Sequence, residues 1–308
     1  MTKKFLQVLL SVFLFAIIFS PVANAEVVTR LDGSGDAEMP RNFRVITENF
    51  EVPEGELKPS TKGMENLRVS ASGQFSRPGF EILAGQLKKI FPAKSKIYIV
   101  DLRQESHGFA DDFPLSFYEQ YNMMNVGKTG AEIVREESEL LKNLVGNRTT
   151  LVPLGNYDKA NYEPVTLTPK KVFTEKEIVK AAGLNYVRFF AQDMVKPAPE
   201  VVDEFLKFVS RLPKNAALHF HCQAGQGRTT TFLLMYDVWK NPDVPLEDIA
   251  RRQKFSGGSE LLTLSDGNNF YAESHNERAK MIRNFYEYVQ EFKSGKTSLT
   301  WSAWSSSR

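Results

Sequence analysis

The chain has 308 residues, 42% hydrophobic and 25% charged, which is enough apolar material for a sizeable core and excludes a low-complexity or disordered protein. Its 39 basic residues against 37 acidic ones leave a net charge of +2, too small for a general nucleic-acid binder. The single cysteine, Cys222, excludes an internal disulfide framework.

Residues 1–25 read as a secretory leader: Lys3 and Lys4, an apolar run over 5–20, and Ala23-Asn24-Ala25 as a small-x-small cleavage site. The run is short for a membrane span and no basic stop-transfer cluster follows it. The expected mature chain, 26–308, is therefore exported, periplasmic or extracellular, with no stable membrane anchoring after cleavage. Without Lys3 and Lys4 it carries 37 basic and 37 acidic residues. An anionic ligand must then be held by a local cluster of basic groups.

Residues 26–65 read as an irregular polar leader. Asp32-Gly33-Ser34-Gly35-Asp36 superficially resembles a calcium loop, but Ala37 stands where glycine is needed and Phe43 where glutamate is, so no metal site is expected. A helix ends over 86–90 and a buried strand is expected over 96–102. Helical periodicity over 131–143 puts Ile133, Leu140 and Leu141 on one side. Residues 144–172 are rich in Thr, Val, Pro and Tyr, with turn signals at Gly155-Asn156 and Glu163-Pro164. They suggest a small β-rich insertion at about 144–180. A second strand follows over 185–191. An amphipathic helix over 199–212 has Val201, Phe205, Phe208 and Val209 on its apolar face, and Pro199 suits its first turn. A third strand over 216–221 leads to an apolar helix over 229–239 and to helices over 246–253 and 276–292. Residues 294–308, rich in Ser, Thr and Trp, read as a loose tail. Strands alternating with helices imply an α/β layered domain.

The chemistry is concentrated after the third strand, in His221-Cys222-Gln223-Ala224-Gly225-Gln226-Gly227-Arg228-Thr229. Two glycines let successive backbone N–H groups turn toward one point, and the following helix adds its free N–H groups and the positive end of its dipole. Residues 223–227 thus form an anion cradle of phosphate size. Arg228 can hold two phosphate oxygens at once. A thiolate at Cys222 is favoured by the same groups and can act as nucleophile. Thr229 can donate its hydroxyl to the sulfur, and His221 can hydrogen-bond to the loop backbone. Thiolate attack on a phosphate monoester leaves an alkoxide that needs a proton. Asp193, in a proline-bounded loop after the second strand, is the candidate acid.

These stretches resemble the protein-tyrosine-phosphatase-like phytases, the bacterial cysteine phytases or inositol polyphosphate phosphatases. His221-Cys222 to Arg228-Thr229-Thr230-Thr231 is similar to the family's HC-x5-R-T-T-T, and Ala191-Gln192-Asp193 through Pro197 to its general-acid loop. Asp101-Leu102-Arg103-Gln104-Glu105-Ser106-His107-Gly108-Phe109 matches a segment after a core strand. Pro40-Arg41-Asn42-Phe43-Arg44 matches an N-terminal segment that brings an arginine to the substrate. The resemblance covers residues 40–290. It implies a tyrosine-phosphatase-like core, a central sheet flanked by helices, with a small inserted β-rich domain. It implies hydrolysis of phytate through a phosphocysteine at Cys222, with Asp193 as acid and then base, Arg44, His107 and Lys159 near the substrate, and no metal or cofactor. Gln223, Gln226 and Met194 depart from the family pattern; these changes leave the chemistry intact and bear on substrate preference and the order of phosphate removal.

Around the loop, Arg44, Arg103, Lys159, Lys196, Arg251, Arg252 and Lys254 are candidates for holding a polyanion. Neutral Gln223, Ala224 and Gln226 avoid repelling one. A phosphotyrosine reader would instead need an aromatic slot, for which Tyr157 and Tyr162 are candidates. A secreted protein-tyrosine phosphatase and a non-catalytic phosphate-binding module are the alternative readings.

Overall fold

The structure is a computed structural model that describes residues 27–308, so the expected leader lies outside the described residues. The strands are β1 (Val28–Leu31), β2 (Arg44–Ile46), β3 (Val69–Ser72), β4 (Lys96–Asp101), β5 (His107–Ala110), β6 (Phe113–Tyr118), β7 (Thr149–Pro153), β8 (Val165–Leu167), β9 (Val172–Phe173), β10 (Asn185–Arg188) and β11 (Ala216–His221). The helices are α1 (Arg77–Ile90), α2 (Gly130–Lys142), α3 (Gly155–Asn161), α4 (Glu175–Ala181), α5 (Pro199–Ser210), α6 (Gly227–Lys240), α7 (Leu246–Phe255), α8 (Phe270–Lys293) and α9 (Trp301–Ser305).

The core sheet has the order β10-β4-β11-β3-β2, parallel except for the edge pair β2–β3. All six residues of its middle strand β11 are buried. Side chains alternate across the sheet. Leu218 and Phe220, with Cys222 just beyond the strand, join a cluster that includes Phe205, Phe232 and Phe285 of α5, α6 and α8. Ala217 joins the cluster of α1 and α4 on the other face. His219 shares that second face, where Ser70 and Ser72 of β3 hydrogen-bond its ring nitrogens at 2.9 and 3.0 Å. Burial pushes the His219 imidazole well below its usual value, so it stays neutral. Because β3, β4, β10 and β11 run parallel, their C-terminal ends open on one edge. That edge is where ligands bind in such sheets.

The second sheet has the order β8-β7-β1-β6-β5-β9. The strands at 149–173 are not a self-contained insertion. They pair with β1, from the segment read as a polar leader, and with β5. Arg103, fully buried, joins the two sheets by donating to Asp32 beside β1 at 2.8 Å.

The tail also differs from expectation. Trp301 and Trp304 are each only 3% exposed. They lie three residues apart, on one side of α9. The Trp301 ring lies 5.6 Å from both Phe285 and Tyr288, and Trp304 Nε1 donates to Glu291 at 2.8 Å. The Ser/Thr content that suggested disorder supplies a cap instead, since Thr300 Oγ1 accepts from Ala303 N–H. Helix α8 starts six residues earlier than its periodicity suggested, where Asn269 caps Tyr271 and Ala272.

Candidate active site

The turn from β11 into α6 is braced from behind. Three consecutive carbonyls point to one N-terminal segment: Gln223 O accepts from Arg41 at 3.3 Å, Ala224 O from Asn42 at 2.8 Å, and Gly225 O from Arg44 at 2.7 Å. With its carbonyls turned outward, the loop turns its amides inward. Among the described residues, Gln223, Ala224, Gln226, Gly227 and Arg228 donate to no backbone carbonyl, and Thr230 makes the first donation, to Gln226 O at 2.7 Å. Gly225 has φ +74°, and a Cβ there would lie 2.3 Å from the Ser72 backbone, so the position requires glycine. Its N–H donates to Cys222 Sγ at 3.3 Å. Cys222 is 3% exposed, at the floor of this nest of N–H groups.

Arg228 is fixed by a buried carboxylate. Glu105 accepts from Nη1 at 2.6 Å and from Nη2 at 2.9 Å, while Leu102 and Ala191 carbonyls accept from Nη1 at 3.4 and 3.2 Å. Glu105 is itself held by Arg103 Nε at 2.8 Å. Arg228 Nε is left without a hydrogen bond, with Asp193 Oδ1 3.1 Å away in an ion pair not aligned as one. Burial works against both charges. Even so, Asp193 and Glu105 hold the Arg228 guanidinium well above its usual value, and Arg228 and Arg103 hold the Glu105 carboxyl well below the carboxylate range. Asp193 lies five residues beyond β10, with Oδ2 accepting from Asn122 at 2.9 Å and Oδ1 from Met194 N–H at 3.0 Å. Arg278 of α8 donates to the Met194 carbonyl and lies beside Gly227.

Several expected site residues have other partners. His107 is 1% exposed and belongs beneath the site, not at its wall. Its Nδ1 donates to Glu105 O at 2.9 Å, and its Nε2 lies 3.3 Å from Asp101 and 3.5 Å from Glu175. His221 donates to Glu175 at 2.7 Å rather than to loop backbone. Thr229 Oγ1 is buried without a partner, and the sulfur takes its hydrogen bond from Gly225 instead. Arg44 is 8% exposed and spent on Gly225 O, and burial pulls it down to about 10. Arg103 and Arg252 are fully buried and bound internally, Arg252 to Asp237. Lys196, Arg251 and Lys254 pair with Glu277, Asp248 and Glu260. Lys159 is exposed on α3. Tyr157 of the same helix lies under Arg41, 4.6 Å from the ring centroid to the guanidinium carbon, and Asp158 accepts from Arg41 at 2.9 Å.

Asp101, His107 and Glu175 lie close enough to share a metal ion. Both carboxylates already accept hydrogen bonds: Tyr186 donates to Asp101 at 2.6 Å, and Gln74 and His221 donate to Glu175. Arg188 adds a positive charge 3.3 Å from Asp101. The cluster therefore suits a protonated His107 better than a cation. Burial opposes that charge, but Asp101 outweighs it and pushes His107 up to about 9 against repulsion from Arg103 and Arg188. A histidine raised above its unfolded value near 6.5 stabilises fully below that pH and loses the effect as pH rises through the folded value. Thermal unfolding should therefore show stability falling between pH 7 and 9, by on the order of 3 kcal/mol from this group. The His107→Gln protein should be less stable and lack that slope.

Sequence reasoning missed Glu105, Glu175, Arg41, Asn42, Asn122 and Arg278 as members of the site. One signal was available for Glu105. Alternation carried on from β4 puts Asp101, Arg103, Glu105 and His107 on one side, a run of charge that a buried strand end does not tolerate unpaired.

Comparison with known proteins places the chain in a family. The PTPlike_phytase family model, described as "Inositol hexakisphosphate", matches residues 100–240. A phytase structure from Bdellovibrio bacteriovorus is 30% identical with a TM-score of 0.69, covering 91% of this chain and 94% of that one. The chain belongs to the protein-tyrosine-phosphatase-like phytase family. A myo-inositol phosphatase from Mitsuokella multacida, solved with myo-inositol-(1,3,4,5)-tetrakisphosphate, is 34% identical with a TM-score of 0.82, over 92% of this chain and 49% of that one. Effector protein hopD2 of Pseudomonas syringae pv. tomato is 27% identical over 270 residues, 85% of this chain and 56% of that protein. The chain thus spans about half the length of these last two relatives. The fold is that of the family, while the buried placement of His107 revises what the resemblance implied for that residue.

Proposed function

We propose that the chain hydrolyses phosphate monoesters of myo-inositol polyphosphates through a phosphocysteine. The observation that carries this reading is Cys222 Sγ at the floor of a loop whose carbonyls at 223–225 are turned away, with Arg228 and the Asp193 carboxyl paired beside it. The loop amides and Arg228 bind the phosphoryl oxygens. The Cys222 thiolate attacks phosphorus, the bond to the leaving oxygen breaks, and the Asp193 carboxyl gives that oxygen its proton. In the second step Asp193, now a carboxylate, takes a proton from water. The water oxygen attacks phosphorus, and the S–P bond breaks to release phosphate and restore the thiolate.

The substrate class rests on the Mitsuokella and Bdellovibrio proteins, whose names state an inositol phosphatase and a phytase. Lys159, exposed on α3, is the basic group we assign to a second phosphate. Export rests on the pattern of residues 1–25, and it is in keeping with the relative named an effector. A second reading, a tyrosine phosphatase, draws on an aromatic group beside Asn122: Tyr121 lies 4.7 Å from Phe270 and 6.1 Å from Tyr271, and Tyr271 is 57% exposed. Phosphate release from inositol hexakisphosphate and from a phosphotyrosine peptide separates the two. Rapid release from the first is expected, and release from the peptide alone would sink the inositol reading. Asp193→Asn should lower turnover of the inositol ester by about 100-fold or more.

A further inference from the structure

The Asp193 carboxylate is held from a side that phosphate binding does not need. Asn122 is 3% exposed, and its Nδ2 donates to Asp193 Oδ2. Tyr121 and Asn122 are consecutive residues with left-handed backbone, φ 58° and 56°. Asparagine tolerates this region; tyrosine does so at a cost of about 1–3 kcal/mol unless its surroundings fix it. Here they do. Asn122 N–H donates to Glu119 O at 2.8 Å, and Phe270 and Tyr271 pack on the Tyr121 ring. Asn125 Nδ2 donates to Gln104 O and Ser106 Oγ, both at 3.0 Å, tying the turn to the segment that carries Glu105. The strained turn thus delivers one amide to one carboxylate oxygen.

We propose that Asn122 is a positioning residue for the proton donor. Its hydrogen bond to Oδ2, together with Met194 N–H and Arg228 Nε at Oδ1, fixes the plane of the carboxyl group and so aims it at the leaving oxygen. This rests on the reading of Asp193 as general acid. The alternative is that the amide only holds the turn together.

The leaving group separates the two. An inositol alkoxide needs a proton from Asp193, whereas the nitrophenolate of 4-nitrophenyl phosphate departs without one. Steady-state kinetics on both esters should be measured for the native protein, Asp193→Asn, Asn122→Ala and Asn122→Gly. The glycine variant removes the amide while adopting the left-handed backbone freely, so it keeps the turn. Hydrolysis of the phosphocysteine, with Asp193 as base, is common to both esters, so the readout is kcat/KM, which covers only the steps up to phosphocysteine formation. Both Asn122 variants should lose about tenfold or more in kcat/KM on inositol hexakisphosphate. Their kcat/KM on 4-nitrophenyl phosphate should change by less than about threefold. Equal losses in kcat/KM on the two esters, or no loss on either, would overturn the proposal. Should Asp193→Asn itself lower kcat/KM on both esters equally, the reading of Asp193 as acid fails instead.

Discussion

Cys222→Ser is expected to bind inositol hexakisphosphate with nearly native affinity and to release phosphate at least about 10⁴-fold more slowly. Binding survives because the anion site is not built by the sulfur. It is built by loop amides, oriented through three carbonyls on Arg41, Asn42 and Arg44, and by Arg228 on Glu105. Serine fits the same space and can accept from Gly225 N–H as the sulfur does. Turnover fails because an alcohol keeps its proton where a thiol gives it up. His221 is engaged with Glu175, not with residue 222. Calorimetric titration with the substrate, paired with a phosphate-release assay, measures both halves. A serine variant with near-native turnover would refute nucleophilic catalysis at this position.

The loop was legible because its chemistry is local. A buried strand, two glycines, an arginine and a helix start lie within a dozen residues, and steric and dipole rules suffice to read them. Its supports were not legible, because they arrive from distant segments. Nothing in Arg41-Asn42-Phe43-Arg44 announces that these side chains face loop carbonyls some 180 residues away, and the resemblance sent Arg44 toward the substrate. The tail misled for a related reason. Serine and threonine are turn and cap residues as much as linker residues, and two tryptophans three apart were the stronger signal. The second sheet was unreadable as a unit, since β1, β6 and β7 meet only through tertiary pairing.

Glu105→Gln is expected to cost about 3–5 kcal/mol of stability, because it leaves two fully buried guanidiniums, Arg103 and Arg228, without the carboxylate between them. Asp32 still serves Arg103, so the loss falls mainly on Arg228, whose Nη1 and Nη2 are aligned by the two carboxylate oxygens. A glutamine can accept at one of those nitrogens but presents its own N–H groups to the other. The guanidinium then turns out of the orientation that Glu105 sets. A displacement of about 1 Å at such a contact lowers turnover by about 100-fold. Substrate binding should weaken as well, since Arg228 acts in both the ground and transition states, so KM rises while kcat falls. Glu105→Asp tests the geometry apart from the charge. It keeps the carboxylate but is one methylene too short to reach both nitrogens, so activity should fall with a smaller loss in thermal midpoint. A Glu105→Gln protein with native midpoint and native turnover would mean that the Leu102 and Ala191 carbonyls alone orient Arg228, and that the buried carboxylate is dispensable.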